Sequence, residues 1–487
     1  VAIKGVPDDI SAILARLGGH LDRRRKEHVS LLRYRDGGSP IPAAVSRARV
    51  TKAYRMLMPM AEAPWADLVV GSTMDRLEIN GVNDPDNKQL ADKAWGLWQE
   101  NAMDNESKIA HDTILTDGRA CALVWKEPGE DSAEIYLDSM ATTIVEYAPG
   151  SRRRRTAAMR YWIDGTTPYA NIYTDTGIYK FKGPPNSASP LGTQWERYQP
   201  EGDQEWPVTH ELGEVPVVEI GINRRLKPGR YPFARGEYEH CLGLIDRINL
   251  LTFLGLVVAF WMGFPLRGVI GQRVLKDDNG DVIPPFDSTA GGIFQLENPE
   301  AKLGEFAAAD RSNLSVFSEL AQLAMITKTP RHYFPMEGGL VNLSADAIRA
   351  SEGALHAKVA NYQPQLGEGW IDVMRLQTKW EGDGVLSPRA SIQWADKESR
   401  SLAERADAAS KLKDILPGVA IAERIMGFSR DDWRGWQSET SGNAITNLMQ
   451  QVANGSQPVT IQVGHSQPNG KGAPGLPTGQ PDGKPTS

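Results

Sequence analysis

Between residues 120 and 206 apolar and polar positions alternate in short runs. Examples are Ala120-Cys121-Ala122-Leu123-Val124-Trp125, Glu134-Ile135-Tyr136-Leu137 and Ala170-Asn171-Ile172-Tyr173, with Gly and Pro between them. That alternation predicts antiparallel strands. The chain before it reads as helical. A charged helix runs from about Asp9 to Arg33 and ends in the turn chemistry of Tyr34-Arg35-Asp36-Gly37. A second, about Ala43 to Arg76, must break or kink at Pro59 and Pro64. A third starts near Asp86, and another follows Asn101-Ala102-Met103-Asp104 as far as Thr116. The first half is therefore α+β.

Beyond a strand at Val215 to Ile220, a helix is predicted over Ala234 to Met262. Its second half, Leu250 to Phe264 (LLTFLGLVVAFWMGF), is apolar almost throughout, yet shorter than the roughly 18 to 20 residues a bilayer core needs, and Arg247 and Arg267 bracket it. A helix apolar on all sides outside a membrane must be covered by protein, in a deep core or between subunits. A strand at Leu266 to Ile270 follows, then Val274-Leu275-Lys276 and Val282-Ile283 around Asp277-Asp278-Asn279-Gly280-Asp281. Asn-Gly supplies the two positive-φ positions of a tight hairpin, so this is a projecting β element. It is not a calcium loop, because Gly280 stands where a ligand is required.

Another strand falls at Ile293 to Leu296, and a helix from about Ser312 to Ile326 stops at Thr329-Pro330. Arg331 to Leu343, with Pro335, Gly338 and Gly339, is expected to be a mobile loop, and Ser344 is suited to cap the helix after it. That helix runs from Ala345 to about Lys379 and should kink at Pro364. Ala390 to Trp394 reads as a strand returning to an earlier sheet. Helices then follow at about Ser399 to Leu416, Ala420 to Ile425 and Asp431 to Gln437, and from Ala453 onward the composition reads as disordered.

Composition narrows the function. A chain of 487 residues has room for roughly three domains. A net charge of -7 and a pI near 5.8 argue against a tight, sequence-independent grip on nucleic-acid phosphates. Cys121 and Cys241 lie far apart, which fits a reducing compartment and excludes a disulfide framework or cysteine zinc site. Val1 to Ile10 has no apolar h-region of a signal peptide. His111-Asp112 is the beginning of a phosphohydrolase metal pattern, but its further ligands are missing, so it is expected on a helix surface. Gly464 to Lys471 fails the phosphate-loop spacing, and no hydrolase, zincin or dinucleotide fingerprint occurs. Arg152 to Arg155 is either a contact for DNA or an acidic partner or a solvated hairpin tip, and the tip is preferred after Pro149-Gly150. The expectation is no enzyme, no cofactor and no metal.

The order of elements resembles the portal proteins of tailed bacteriophages, the SPP1-type portal family, over roughly Leu21 to Gly427. The resemblance rests on Tyr34 to Gly37, Leu97-Trp98 with Asn101 and Asp104, and His111-Asp112 to Gly118-Arg119-Ala120. It continues through Gly213 to Asn223 (GEVPVVEIGIN), Asp246 and Asn249, Thr329-Pro330, and Ser344-Ala345-Asp346-Ala347-Ile348. It implies an α+β portal fold assembled as a ring of twelve copies at one capsid vertex. Double-stranded DNA passes through that ring without sequence specificity, driven by a separate ATPase.

In that layout residues 1–233 are the wing, 234–262 and 308–330 the stem helices, 263–307 the clip and 331–343 the tunnel loop. Residues 344–398 join the wing, and 399–452 form the crown. Arg331, His332, Tyr333, Phe334, Met336, Glu337, Gly338, Gly339, Leu340 and Asn342 would face DNA. Arg273, Lys276, Asp277, Asp278, Asn279 and Asp281 of the clip would meet the terminase large subunit during packaging and the head-tail adaptor afterwards. Leu250, Leu251, Phe253, Leu254, Leu256, Val257 and Phe260 would lie between neighbouring stems. Major capsid and scaffold proteins would surround the ring, in the host cytoplasm during assembly and then in the virion. The alternatives are another head or neck structural protein and, further off, a membrane-associated channel or a nucleic-acid enzyme.

Overall fold

The computed structural model describes residues 3–38, 52–127, 129–130, 132–201, 205–225, 231, 233–263, 267–270, 300, 302–305, 315–335, 345–396 and 402–428. The chain divides into two compact units, residues 1–399 and 400–487. The expected Asn-Gly hairpin at 274–283, the strand at 293–296, the helix at 431–437 and the tail fall outside the described residues.

The alternating stretch folds as sheets. Strands β2 (Arg119–Trp125), β3 (Glu134–Ser139) and β10 (Val217–Gly221) form an antiparallel sheet in the order β10-β2-β3. β4 (Thr143–Tyr147), β5 (Arg155–Asp164), β6 (Thr167–Tyr173), β7 (Gly177–Lys182) and the short β8 (Glu196–Arg197) pair in sequence order, and β9 (Val208–Thr209) also pairs with β7. The first helix, Asp8–Arg35, buries Ile10, Leu14, Leu17 and Leu21 against Met159, Tyr161, Ile172 and Phe181 of this second sheet. These four residues at helical spacing drive the docking, because each removes apolar surface from water. Between the two sheets Cys121, Leu123 and Trp125 meet Tyr147, Ala158, Tyr173 and Ile178.

The remaining core is built on the long helix, Ala345–Trp380, which runs uninterrupted through Pro364. Its buried face (Leu355, Val359, Tyr362, Leu366, Trp370, Val373, Met374) packs with the helices Trp65–Met74, Lys88–Glu100 and Met103–Asp117. Gly369 lets it lie close on β10, since a Cβ there would stand 2.8 Å from the Ile220 side chain. β13 (Ser391–Trp394) returns to pair antiparallel with β1 (Ile79–Asn83), as its alternation suggests. Pro59 is carried inside the helix Lys52–Ala61, and the chain breaks before Pro64.

The apolar helix begins at Leu242 rather than at Ala234 and ends at Gly263. The reason is a backbone crossing. The Glu237 N–H donates to Leu115 O (2.7 Å), and a Cβ on Gly236 would fall 2.0 Å from Thr116 O, so the 234–238 segment is held against residues 115–118 and cannot coil. β11 (Arg267–Ile270) and β12 (Lys302–Glu305) then pair antiparallel, returning the chain beside the point where it left. The helix Phe317–Thr327 follows and packs against the apolar helix, as does Lys52–Ala61.

In the second unit Leu402–Leu412 and Gly418–Ile421 are helical, and Arg405 donates to the Met426 carbonyl at 3.0 Å.

Candidate functional site

The apolar helix is incompletely covered within the protomer. With the 3-10 turn Glu239–Cys241 before it, the span Glu239–Phe260 is long and apolar enough to cross a membrane, and only 33% of its most apolar window is buried. Ile245 and Ile248 point into the core, and Asn249 and Phe253 are buried too, with Phe253 2% exposed. Leu250, Leu251, Leu256, Val257 and Phe260 are half-buried, and Leu254 is 37% exposed. Met56 and Met60 on Lys52–Ala61, Met262 on the helix itself, and Met325 and Ile326 on Phe317–Thr327 are exposed as well. Phe253, part of the expected inter-stem set, is already covered within the protomer, unlike its neighbours.

Polar latches fix the buried side of this helix. Tyr34 Oη donates to both Asp246 oxygens at 2.9 and 3.0 Å, and Trp65 Nε1 donates to Asn249 Oδ1 at 3.2 Å. Arg247 pairs with Glu319 and donates to Gln322 Oε1 (3.1 Å), joining the apolar helix to Phe317–Thr327.

At the far end of Phe317–Thr327 sits a buried charge pair. Lys358 of the long helix pairs with Glu237, whose carboxylate also accepts from Thr73 Oγ1 at 2.8 Å. The same ammonium donates to the carbonyl of Thr327, the last helical residue, at 2.7 Å, placing a cation at the negative end of the helix dipole. Burial pushes the Glu237 carboxyl up and the Lys358 ammonium down, against the attraction of each for the other. Four separate segments are clamped at this one point.

The segment expected to open a mobile loop is pinned instead. Arg331–Tyr333 form a 3-10 turn, and Phe334 is 4% exposed, stacked on Trp65 with centroids 6.3 Å apart. Tyr333 Oη accepts from Arg76 (2.9 Å) and donates to Glu352 Oε1 (3.1 Å), while His332 Nδ1 lies 3.2 Å from Ser351 Oγ. Only Arg331 is exposed among these four. Phe334 is therefore a core residue and cannot face DNA. Met336, Glu337, Gly338, Gly339, Leu340 and Asn342 lie outside the described residues. So do Arg273, Lys276, Asp277, Asp278, Asn279 and Asp281.

His111 is not on a helix surface. It is fully buried, its Nε2 accepts from Trp370 Nε1 at 2.9 Å, and its Nδ1 lies 3.1 Å from Leu77 O, so Nδ1 carries the proton. Burial lowers its pKa from 6.5 to about 4. Asp112 pairs with Arg35 at 2.6 Å, and among the described residues no group of His, Cys, Asp or Glu is placed to hold a metal ion.

This histidine should make the fold acid-sensitive. A native pKa below the unfolded value means the unfolded chain binds more protons between the two. Stability is then intact above about pH 6.5 and falls as pH drops toward 4, by on the order of 3 kcal/mol. The melting-temperature gap between wild type and His111→Gln should therefore narrow from pH 7 to pH 4.5. A gap independent of pH would refute the buried neutral ring.

The other motif residues are likewise structural. Trp98 Nε1 donates to Asp104 Oδ1 (3.0 Å), the Asn101 amide donates to Leu97 O and accepts from the Ile135 N–H, and Asn223 Nδ2 donates to Arg235 O (3.2 Å). Burial alone would raise the Glu219 carboxyl, but Arg119, Arg24 and Arg224 outweigh it and hold it below its usual range.

Residues 63–445 match the family model described as phage portal protein, SPP1 Gp6-like. The chain belongs to this portal family. It is 26% identical over 417 residues to the portal protein of Mycobacterium phage L5, covering 81% of this chain and 82% of that one. Against the portal protein of Mycobacterium phage D29 the identity is 26% over 421 residues, covering 81% and 83%. Among solved structures, the neck of an empty gene transfer agent particle is similar at 13% identity and a TM-score of 0.44, covering 82% of this chain and 93% of that one. The virion of the native gene transfer agent is similar at 12% identity and 0.39, with the same coverage. These structural likenesses are too distant to add to the family assignment. Portal proteins are structural components of the virion, and this chain is a phage portal protein in that sense, without catalytic chemistry to explain.

Proposed function

We propose that copies of this chain close into a ring, of twelve by the family resemblance, whose stem is sealed by the half-covered apolar helix and whose channel conducts double-stranded DNA. The carrying observation is the apolar stripe of Leu250, Leu251, Leu254, Leu256, Val257 and Phe260, left partly open by the protomer. A neighbouring copy covers it in a head-to-tail interface that closes. An acidic chain suits a conduit, because every tight phosphate contact retards sliding. Residues 336–342, with Arg331 and His332 at their foot, face the duplex, and residues 263–307, returning through β11 and β12, carry the surface for the terminase large subunit and then the adaptor. Residues 1–233 and 344–398 form the wing and 399–452 the crown.

The pinned turn at Tyr333 and Phe334 predicts a clean deletion. Removing residues 336–342 should leave assembly intact and reduce DNA packaged or retained per particle severalfold, measured by nuclease-protected DNA. Packaging at wild-type yield would show that these residues do not face DNA.

A further inference from the structure

Three consecutive side chains, Arg152, Arg153 and Arg154, stand exposed in the turn between β4 and β5. The turn is built, not slack. Gly150 adopts φ +75°, the Ala148 N–H donates to Arg154 O at 2.9 Å, and Ser151 Oγ accepts the N–H groups of Arg154 (2.9 Å) and Arg153 (3.3 Å). None of the three guanidiniums has a carboxylate partner among the described residues. Acidic residues outnumber basic ones in this chain, 61 to 54, and Arg16, Arg24, Arg35, Arg119, Arg155 and Arg160 all pair with Asp or Glu. At the tip itself, Arg152, Arg153 and Arg154 form no such pair among the described residues.

Its position separates it from the DNA-facing loop. Glu214 accepts from Arg155 at the root of the tip and from Lys379 near the end of the long helix, both at 2.8 Å. Near the other end of that helix Glu352 holds Tyr333, at the foot of the loop. From Glu352 to Lys379 the helix rises about 40 Å. An arginine side chain spans a small fraction of that distance, so the tip and the loop are separate points of contact.

We propose that Arg152, Arg153 and Arg154 form a docking point for an acidic segment or surface of another protein, held by charge-assisted, forked hydrogen bonds to clustered carboxylates. The proposal rests on the portal reading only for the placement of DNA at the loop.

The test compares the full-length protein with R152A/R153A/R154A, using a short labelled polyglutamate peptide and a short duplex DNA as probes, at low and at moderate salt. The triple variant should bind the peptide at least about tenfold more weakly, bind duplex unchanged, and melt at the wild-type temperature because no packed group is lost. Equal peptide affinity in both proteins, no peptide binding by the wild type, or a loss confined to duplex would each overturn the proposal. The assay requires neither packaging nor the 336–342 loop, so its failure leaves the portal reading standing.

Discussion

Replacing Leu254 by Asp is expected to abolish ring assembly while leaving the protomer folded. In one copy this side chain is already 37% exposed, so a carboxylate there keeps its water and costs little. In a closed stem the same position is covered by the neighbour. A carboxylate buried there without a partner costs several kcal/mol at every interface. The measurement is particle mass, which should fall from a ring to a monomer with unchanged helix content. Phe253→Asp supplies the contrast, because Phe253 is 2% exposed in the protomer and its loss should unfold the chain. Rings of normal mass in Leu254→Asp would show that this face of the helix is not an interface.

The second large effect is expected at Lys358. Lys358→Met leaves Glu237 buried, with Thr73 as its remaining donor and with the Thr327 carbonyl deprived of its cation. Removing one member of a buried pair typically costs about 3–5 kcal/mol. The double variant Glu237→Gln, Lys358→Met removes the orphaned charge and should recover most of that loss. The penalty of the single variant should also shrink as pH falls. Burial raises the Glu237 carboxyl, so the native state takes up its proton before the unfolded chain does. A double variant as unstable as the single one would mean that packing, not charge, sets the cost.

Much of the architecture is legible in the order of residues, because local pattern and local structure share one period. The alternation between residues 120 and 206 became strands as far as Lys182, with only the short Glu196–Arg197 beyond it. The helices near Asp9, Asp86 and Asp104 begin within a few residues of those expected, whereas the expected start at Ala43 lies outside the described residues. The misses came from contacts distant in sequence. His111 reads as surface until Trp370, 259 residues away, supplies its donor. Ala234 to Tyr238 has helical composition but is drawn out of helix by the crossing at Thr116. Phe334 and Phe253 sit in segments that the family resemblance places at the tunnel and between stems, and nothing local tells a buried Phe from an interfacial one. The pairs Tyr34–Asp246 and Glu237–Lys358 were equally hidden, since a charged residue carries no mark of its remote partner.

The central claim, a closed ring sealed by the apolar helix, is tested most directly by native mass spectrometry of the purified chain. The account predicts a single assembly near twelve times 53.5 kDa, annular in negative stain with a central hole. A stable monomer or dimer at high concentration would leave Leu250, Leu254 and Val257 without a covering neighbour and would contradict it.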